Sequence, residues 1–235
     1  MIKRLLVIVP CFNEGQSIGG VLDEIGAVKL PEGIEMSILV VNDCSTDDTL
    51  AQASRPGVIV LDLPINLGIG GAMQAGYHYA DHQGFDLSVQ IDGDGQHPPA
   101  ELNKLLNHFF LTKANVVIGS RFISKQGFQS SFLRRIGISY FYWLNRLFIG
   151  KKFYDSTSGF RLFDCAAIKL AADSYPDEYP EPESLIIFSR KKLIIEEVQV
   201  MMRKREAGRS SIQYFQQCYY MFKVSIAMFF SFIRK

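Results

Sequence analysis

Two carboxylates one residue apart, Asp92 and Asp94, stand in Gln90-Ile91-Asp92-Gly93-Asp94-Gly95-Gln96-His97, at the end of an apolar run. In extended backbone, side chains at i and i+2 share a face. Asp92 and Asp94 are therefore expected to reach one cation, with Gln96 continuing that face and Gly93 and Gly95 letting the chain turn beneath it. Carboxylate, carboxamide and water oxygens suit hard divalent ions such as Mg²⁺ or Mn²⁺. Asp-Gly pairs also form ordinary polar turns, so the octapeptide alone leaves both uses open. A second chemical feature is charge: residues 121 to 161 hold eight basic side chains, among them Arg121, Arg134, Arg135 and Arg161, against one acid, Asp155. Residues 172 to 186 hold five acids and no base. Arginine's planar fork suits bidentate contacts to phosphate.

These groups need a frame. Leu5 to Val9 is a short apolar run of the kind that makes a buried parallel strand, and it ends in Pro10-Cys11-Phe12-Asn13-Glu14. Ile18, Val21, Leu22 and Ile25 then recur at helical spacing, and Ile38 to Val41 is again apolar and again ends in polar residues, Asn42 to Asp47. The alternation continues through a strand at 58–61, a helix near 71–83, a strand at 87–91, a helix near 99–111 opened by Pro98-Pro99, and a strand at 116–119. Such a pattern predicts an α/β fold, a mostly parallel sheet with helices on both faces. Ligands of such sheets lie outside the carboxyl ends of the strands, where Asn13, Asp43, Asp92 and Arg121 all fall. A dinucleotide-binding domain fits poorly, because no G-x-G-x-x-G follows the first strand and the glycines Gly68, Gly70 and Gly71 come only after the third. A sugar nucleotidyltransferase would open with a glycine-rich loop and a following Arg, which this chain lacks.

The 235 residues, 48% hydrophobic and with net charge +1, make one substantial domain. Four cysteines, Cys11, Cys44, Cys165 and Cys218, form no C-x-x-C and read as isolated reduced thiols of a cytosolic protein. The Leu5–Val9 run is too short for a signal-peptide core, so the expected location is cytoplasmic, peripheral at the inner face of a membrane. Cys218 to Ile233 is apolar with a single Lys and, as a helix, covers roughly 24 Å, short of a hydrocarbon core of about 30 Å. Phe128 to Ile149 is a second candidate for interfacial contact, with Phe132, Ile136, Tyr140, Trp143 and Leu147 near one helical face and basic residues beside them.

Six blocks in order carry a resemblance: Val9 to Glu14, Val41 to Thr49, Asn66-Leu67-Gly68, Asp92 to Pro98, Gly119-Ser120-Arg121, and Asp155 to Arg161. Over roughly residues 1 to 215 the chain resembles inverting glycosyltransferases of the GT-A (Rossmann-like) fold, family 2, and within them the polyprenyl-phosphate sugar transferases similar to dolichyl-phosphate mannose synthase. The resemblance implies a catalytic domain over 1–215 and a C-terminal amphipathic or apolar helix over 216–235, expected to lie in the membrane interface. It implies that Pro10, Phe12, Glu14, Asp43, Asn66, Gly68 and Asp92 hold a UDP-, GDP- or dTDP-sugar, and that Asp92, Asp94 and Gln96 bind Mg²⁺ or Mn²⁺ on its diphosphate, Asp94 thereby taking part in catalysis. Asn42 departs from the commoner paired-Asp form of its block, which leaves the choice of base open.

On the acceptor side the resemblance implies a polyprenyl phosphate met by Arg121, Arg134, Arg135, Arg161, Arg203 and Ser210, the last two in a basic segment, 203–211, that resembles the loop closing over both substrates. Asp155 occupies the position that resembles the proposed catalytic base. Glu181 and Glu183 are further base candidates if the acceptor is a sugar hydroxyl, which must lose a proton to a carboxylate. Two other expectations stand beside this one: extension of a glycan at a hydroxyl, or a non-catalytic sugar-nucleotide-binding protein. The expected partners include the membrane surface and a membrane protein, with no nucleic acid.

Overall fold

The computed structural model describes residues 2–124, 132–203 and 214–233, with backbone alone at 132–139 and 214–220. The first half alternates as its apolar runs require: β1 (Lys3–Cys11), α1 (Ile18–Gly26), β2 (Ile34–Asn42), α2 (Thr49–Ala53), β3 (Val58–Asp62), α3 (Gly68–His82), β4 (Leu87–Gln90), α4 (Leu102–Thr112) and β5 (Val116–Ser120). The second half adds α5 (Phe132–Ile149), β6 (Arg161–Asp164), α6 (Cys165–Ser174), α7 (Pro180–Arg190), β7 (Ile195–Gln199) and α8 (Tyr214–Ile233). The strands form one sheet in the order β3-β2-β1-β4-β6-β5-β7. Six run the same way, and β6 lies antiparallel between β4 and β5.

Strand periodicity divides the core. On β1, Leu5, Val7 and Val9 point into a cluster with Ile18, Leu22 and Ile25 of α1 and Leu102, Leu105 and Leu106 of α4. Leu6 and Ile8 point the other way, to Met73 and Tyr77 of α3, Ile168 of α6, and Leu185 and Phe188 of α7. Both faces are covered, which is why this strand reads as a continuous apolar run. Gly76 lets α3 approach closely, since a Cβ there would stand 2.6 Å from Ile8 Cγ2.

A third cluster gathers the last helices: Phe141 of α5, Ile186 of α7, and Val224 and Met228 of α8. The Tyr140 hydroxyl of α5 and Ser225 Oγ of α8 lie 2.6 Å apart. No helix among the described residues is long and apolar enough to cross a membrane.

The reversed strand positions the site. Because β6 runs opposite to its neighbours, its first residue, Arg161, and the segment before it lie at the carboxyl ends of β4 and β5. Residues 155–161 thereby join the loops that follow β1, β2, β4 and β5.

Candidate active site

The loops after β1 and β2 are stitched together. Asn13, at φ 57°, accepts the Thr46 N–H on Oδ1 at 2.8 Å and donates its own N–H to Ser45 Oγ at 3.0 Å, while the Glu14 N–H reaches Thr49 Oγ1 at 2.8 Å. Pro10 is buried at the end of β1, whereas Phe12 is exposed at the rim. Asp43, expected to hold a nucleoside, turns inward: its two carboxylate oxygens accept the Leu67 and Gly68 N–H groups at 2.7 and 2.9 Å, capping α3. Asn66 closes the same junction, accepting from Gly68 N–H and donating to Asp43 O. Gly68 has φ +74°, which only glycine adopts without cost.

Asp92 and Asp94 do not share one extended strand, because the chain turns between them, a correction to the alternation expected for them. The Gly95 N–H bonds back to Asp92 O at 3.4 Å and residues 93–94 form a turn. The cause is steric: Gly93 passes so near β1 that a Cβ would be 2.6 Å from Cys11 Sγ, and Gly95 takes φ +77°. Each carboxylate is oriented by a carboxamide: Gln90 Nε2 donates to Asp92 Oδ1 at 2.8 Å, and Gln96 bonds Asp94 through both its backbone N–H and its side chain. His97, stacked on Phe160 at 5.2 Å, accepts the Asp92 N–H on Nδ1, which puts the neutral ring's proton on Nε2, 3.6 Å from Asp92 Oδ2. Burial, reinforced by Glu14 and Asp92, pushes the neighbouring Cys11 thiol far above its usual range, so it stays neutral.

Among the described residues no cluster of three or more His, Cys, Asp or Glu could hold a metal. The turn after β4 offers two carboxylates and a carboxamide, Asp92, Asp94 and Gln96. That donor set fits Mg²⁺ or Mn²⁺ held by one or two carboxylates, with substrate phosphates and water completing the shell.

The side expected to meet an acceptor centres on Arg121, just after β5. Its Nε and Nη2 donate to Asp155 Oδ2 and Oδ1, both at 2.7 Å, and its backbone N–H adds a third bond at 3.0 Å. Thr157 Oγ1 accepts a longer bond from Nη2 at 3.3 Å. Nη1 has no hydrogen-bond partner among the described residues, and the side chain is 19% exposed. Burial alone would lower the Arg121 pKa, and Asp155 more than reverses this. Asp155, expected as a base, is a wholly buried side chain with both oxygens engaged by Arg121.

Arg161 departs further from expectation. It is 1% exposed and donates to Ser158 O, Ser156 O and Ser184 Oγ at 2.7, 2.8 and 2.9 Å, bracing the 156–158 turn against α7 rather than presenting charge to a ligand. Burial pushes the nearby Glu181 carboxyl up, with Arg161 working against it. Arg203 also differs: its guanidinium pairs with Glu24 of α1 at 2.7 Å, while its backbone N–H bonds Gln96 O. The side chains of Arg134 and Arg135, and all of Ser210, lie outside the described residues.

Sequence reasoning missed Gln90, Thr157 and Glu197. Gln90 had a signal, a polar residue closing an apolar strand; a Cβ at Gly159 would stand 2.6 Å from its Nε2. Glu197 of β7 accepts the Tyr154 and Asp155 N–H groups at 2.7 and 2.8 Å. Burial pushes its carboxyl up, and those two N–H groups work against the shift.

The family model described as glycosyl transferase family 2 covers residues 6–174. The chain is 33% identical over 167 residues to an undecaprenyl-phosphate mannosyltransferase of Micrococcus luteus, covering 68% of this chain and 66% of that protein. It is 28% identical over 221 residues to a UDP-N-acetylglucosamine–dolichyl-phosphate N-acetylglucosaminyltransferase of Methanococcus voltae, covering 84% of this chain and 85% of that one. Glucosyl-3-phosphoglycerate synthase of Mycobacterium tuberculosis, solved with Mn²⁺, UDP and glucosyl-3-phosphoglycerate, superposes with a TM-score of 0.69 at 20% identity over 98% of this chain and 80% of that one.

Proposed function

The chain belongs to glycosyltransferase family 2, and from that premise we propose that this glycosyltransferase moves a sugar from a nucleotide-sugar to a polyprenyl phosphate, with inversion and with Mg²⁺ or Mn²⁺, at the inner face of a membrane. The observation that carries the acceptor is Arg121: a forked guanidinium clamped on one edge by Asp155, with no partner for Nη1 among the described residues. Such a fork fits a phosphate oxygen.

Pro10, Phe12, Glu14, Asn66 and Gly68 line the donor side, with Asp43 holding the loop that forms it. Asp92, Asp94 and Gln96 would hold the cation, which when bound stabilises charge on the leaving nucleoside diphosphate. A phosphate monoester has a second pKa of about 6, so the acceptor oxygen is already anionic near neutral pH. It attacks the anomeric carbon, forming the new C–O bond as the bond to the diphosphate breaks, and no side chain has to take a proton. The engagement of Asp155 with Arg121 fits that economy, since a base is needed only for a hydroxyl acceptor. In this reading residues 1–215 are the catalytic domain, and 216–235 with α5 meet the lipid.

The test is transfer of a labelled sugar from UDP-, GDP- and dTDP-sugars to a short polyprenyl phosphate, with Mn²⁺ and with EDTA. Cation-dependent transfer by wild type is expected, and its loss in Asp92→Asn with circular dichroism unchanged. Transfer to a free oligosaccharide but to no polyprenyl phosphate would overturn the acceptor in favour of glycan extension.

A further inference from the structure

Residues 151–160, which carry Asp155, form neither helix nor strand. Arg161 and the Gly119 backbone brace residues 156–160, and one carboxylate holds the Tyr154 and Asp155 amides. Glu197, which lies opposite Ile118 in the β5–β7 ladder, accepts the Tyr154 N–H on Oε2 at 2.7 Å and the Asp155 N–H on Oε1 at 2.8 Å. Holding two consecutive amides fixes the peptide planes on both sides of Tyr154 and with them the origin of the Asp155 side chain. Asp155 in turn grips Arg121 through Nε, Nη2 and the backbone N–H.

We propose that Glu197 is a positioning residue for the phosphate-contacting arginine: by clamping the Tyr154 and Asp155 amides it sets the Asp155 carboxylate, and through it the direction in which Arg121 presents its open edge to an acceptor phosphate. The role rests on the reading of Arg121 given above. A carboxylate suits this task because each of the two N–H donors has its own oxygen. A glutamine offers one oxygen and would turn its own NH₂ toward the other amide. An aspartate is one methylene too short to reach both.

The experiment uses the full-length chain and the Arg121 Nε–H resonance, assigned by its loss in Arg121→Lys. Inorganic phosphate and geranyl phosphate are titrated into wild type and Glu197→Gln. In Glu197→Gln the resonance is expected to move toward that of a solvated arginine, and affinity for both phosphates to fall about tenfold, in keeping with the loss of charge-assisted order at one contact. Nucleotide-sugar binding in the presence of Mn²⁺ should be unchanged. A folded Glu197→Gln with an unmoved Arg121 resonance overturns the proposal. If wild type binds neither phosphate while the resonance still moves in the variant, the positioning role stands and the phosphate acceptor falls. Should Glu197→Gln unfold, wild type decides: couplings across the hydrogen bonds from the Tyr154 and Asp155 amide nitrogens to the Glu197 carboxyl carbon are expected, and their absence overturns it.

Discussion

Asp155 shows how one residue's surroundings select among roles its chemistry allows. A buried carboxylate with both oxygens engaged by a guanidinium has no oxygen turned to an incoming hydroxyl, but it is well placed to hold that guanidinium still. The two roles separate experimentally. If Asp155 is the clamp, Asp155→Ala leaves a mostly buried cation without its partner, and losses of that kind run to about 3–5 kcal/mol. Denaturant unfolding should show that loss together with weaker phosphate binding. A base would show the opposite: unchanged stability and phosphate affinity with turnover lost, and that outcome would return Asp155 to its expected role. Arg161 follows the same logic. Its three protein acceptors and 1% exposure make it a brace, so Arg161→Ala should lower stability before it touches acceptor affinity.

At the scale of elements, the alternation through β5 was legible because each buried parallel strand is an apolar run ending in polar residues. The position of Asp92 and Arg121 just after strand ends was therefore legible. What escaped depended on reversal and turn. β6 is four residues long and its polar first residue, Arg161, is buried, so nothing in its pattern announced a central antiparallel strand. The turn at 92–95 follows from the approach of β1 to Gly93, a contact between distant segments that local spacing cannot reveal. Glu197 follows another half-buried glutamate, Glu196, on an edge strand and reads as surface. α7 carries a testable consequence of its packing on α8. Burial pushes the Glu183 carboxyl up, with Asp177 and Glu178 adding to it and the Ser231 hydroxyl, 3.0 Å away, opposing. A raised folded pKa means that the fold favours the protonated acid. The group's contribution is present below the ordinary carboxylate range of about 4.3 and is lost as pH rises through the raised folded value. Glu183→Gln, which keeps an acceptor for Ser231, should therefore raise the urea midpoint at pH 7.5 and leave it unchanged near pH 3.5. A lower midpoint at pH 7.5 would contradict this.

At the scale of the whole molecule, the exposed apolar surface is carried by α5, which lies between Arg121 and Asp155 in the chain, and by α8. Trp143 and Leu147 of α5 and Phe222, Phe229 and Phe230 of α8 are all exposed. Arg146 stands over the Trp143 ring at 5.4 Å and Lys152 over Tyr142 at 5.7 Å. Aromatic and aliphatic side chains with cations beside them suit the headgroup boundary of an anionic bilayer. The Tyr142 ring of α5 lies 5.8 Å from that of Tyr154, the neighbour of Asp155, which ties this surface to the Arg121 side of the proposed site. The expected outcome is co-sedimentation of the full-length chain with vesicles containing phosphatidylglycerol. The double substitution Trp143→Glu with Phe230→Glu should weaken it by about tenfold or more, since burying one large apolar side chain is worth about 1.5–3 kcal/mol. Nucleotide-sugar binding, proposed for the loops after β1, β2 and β4, should not change. If wild type remains in the supernatant at low salt, the surface serves another partner, and the next candidate is the membrane protein expected beside the bilayer. If wild type binds and the double variant binds equally well, adhesion is electrostatic alone, and raising salt to 0.5 M should release both.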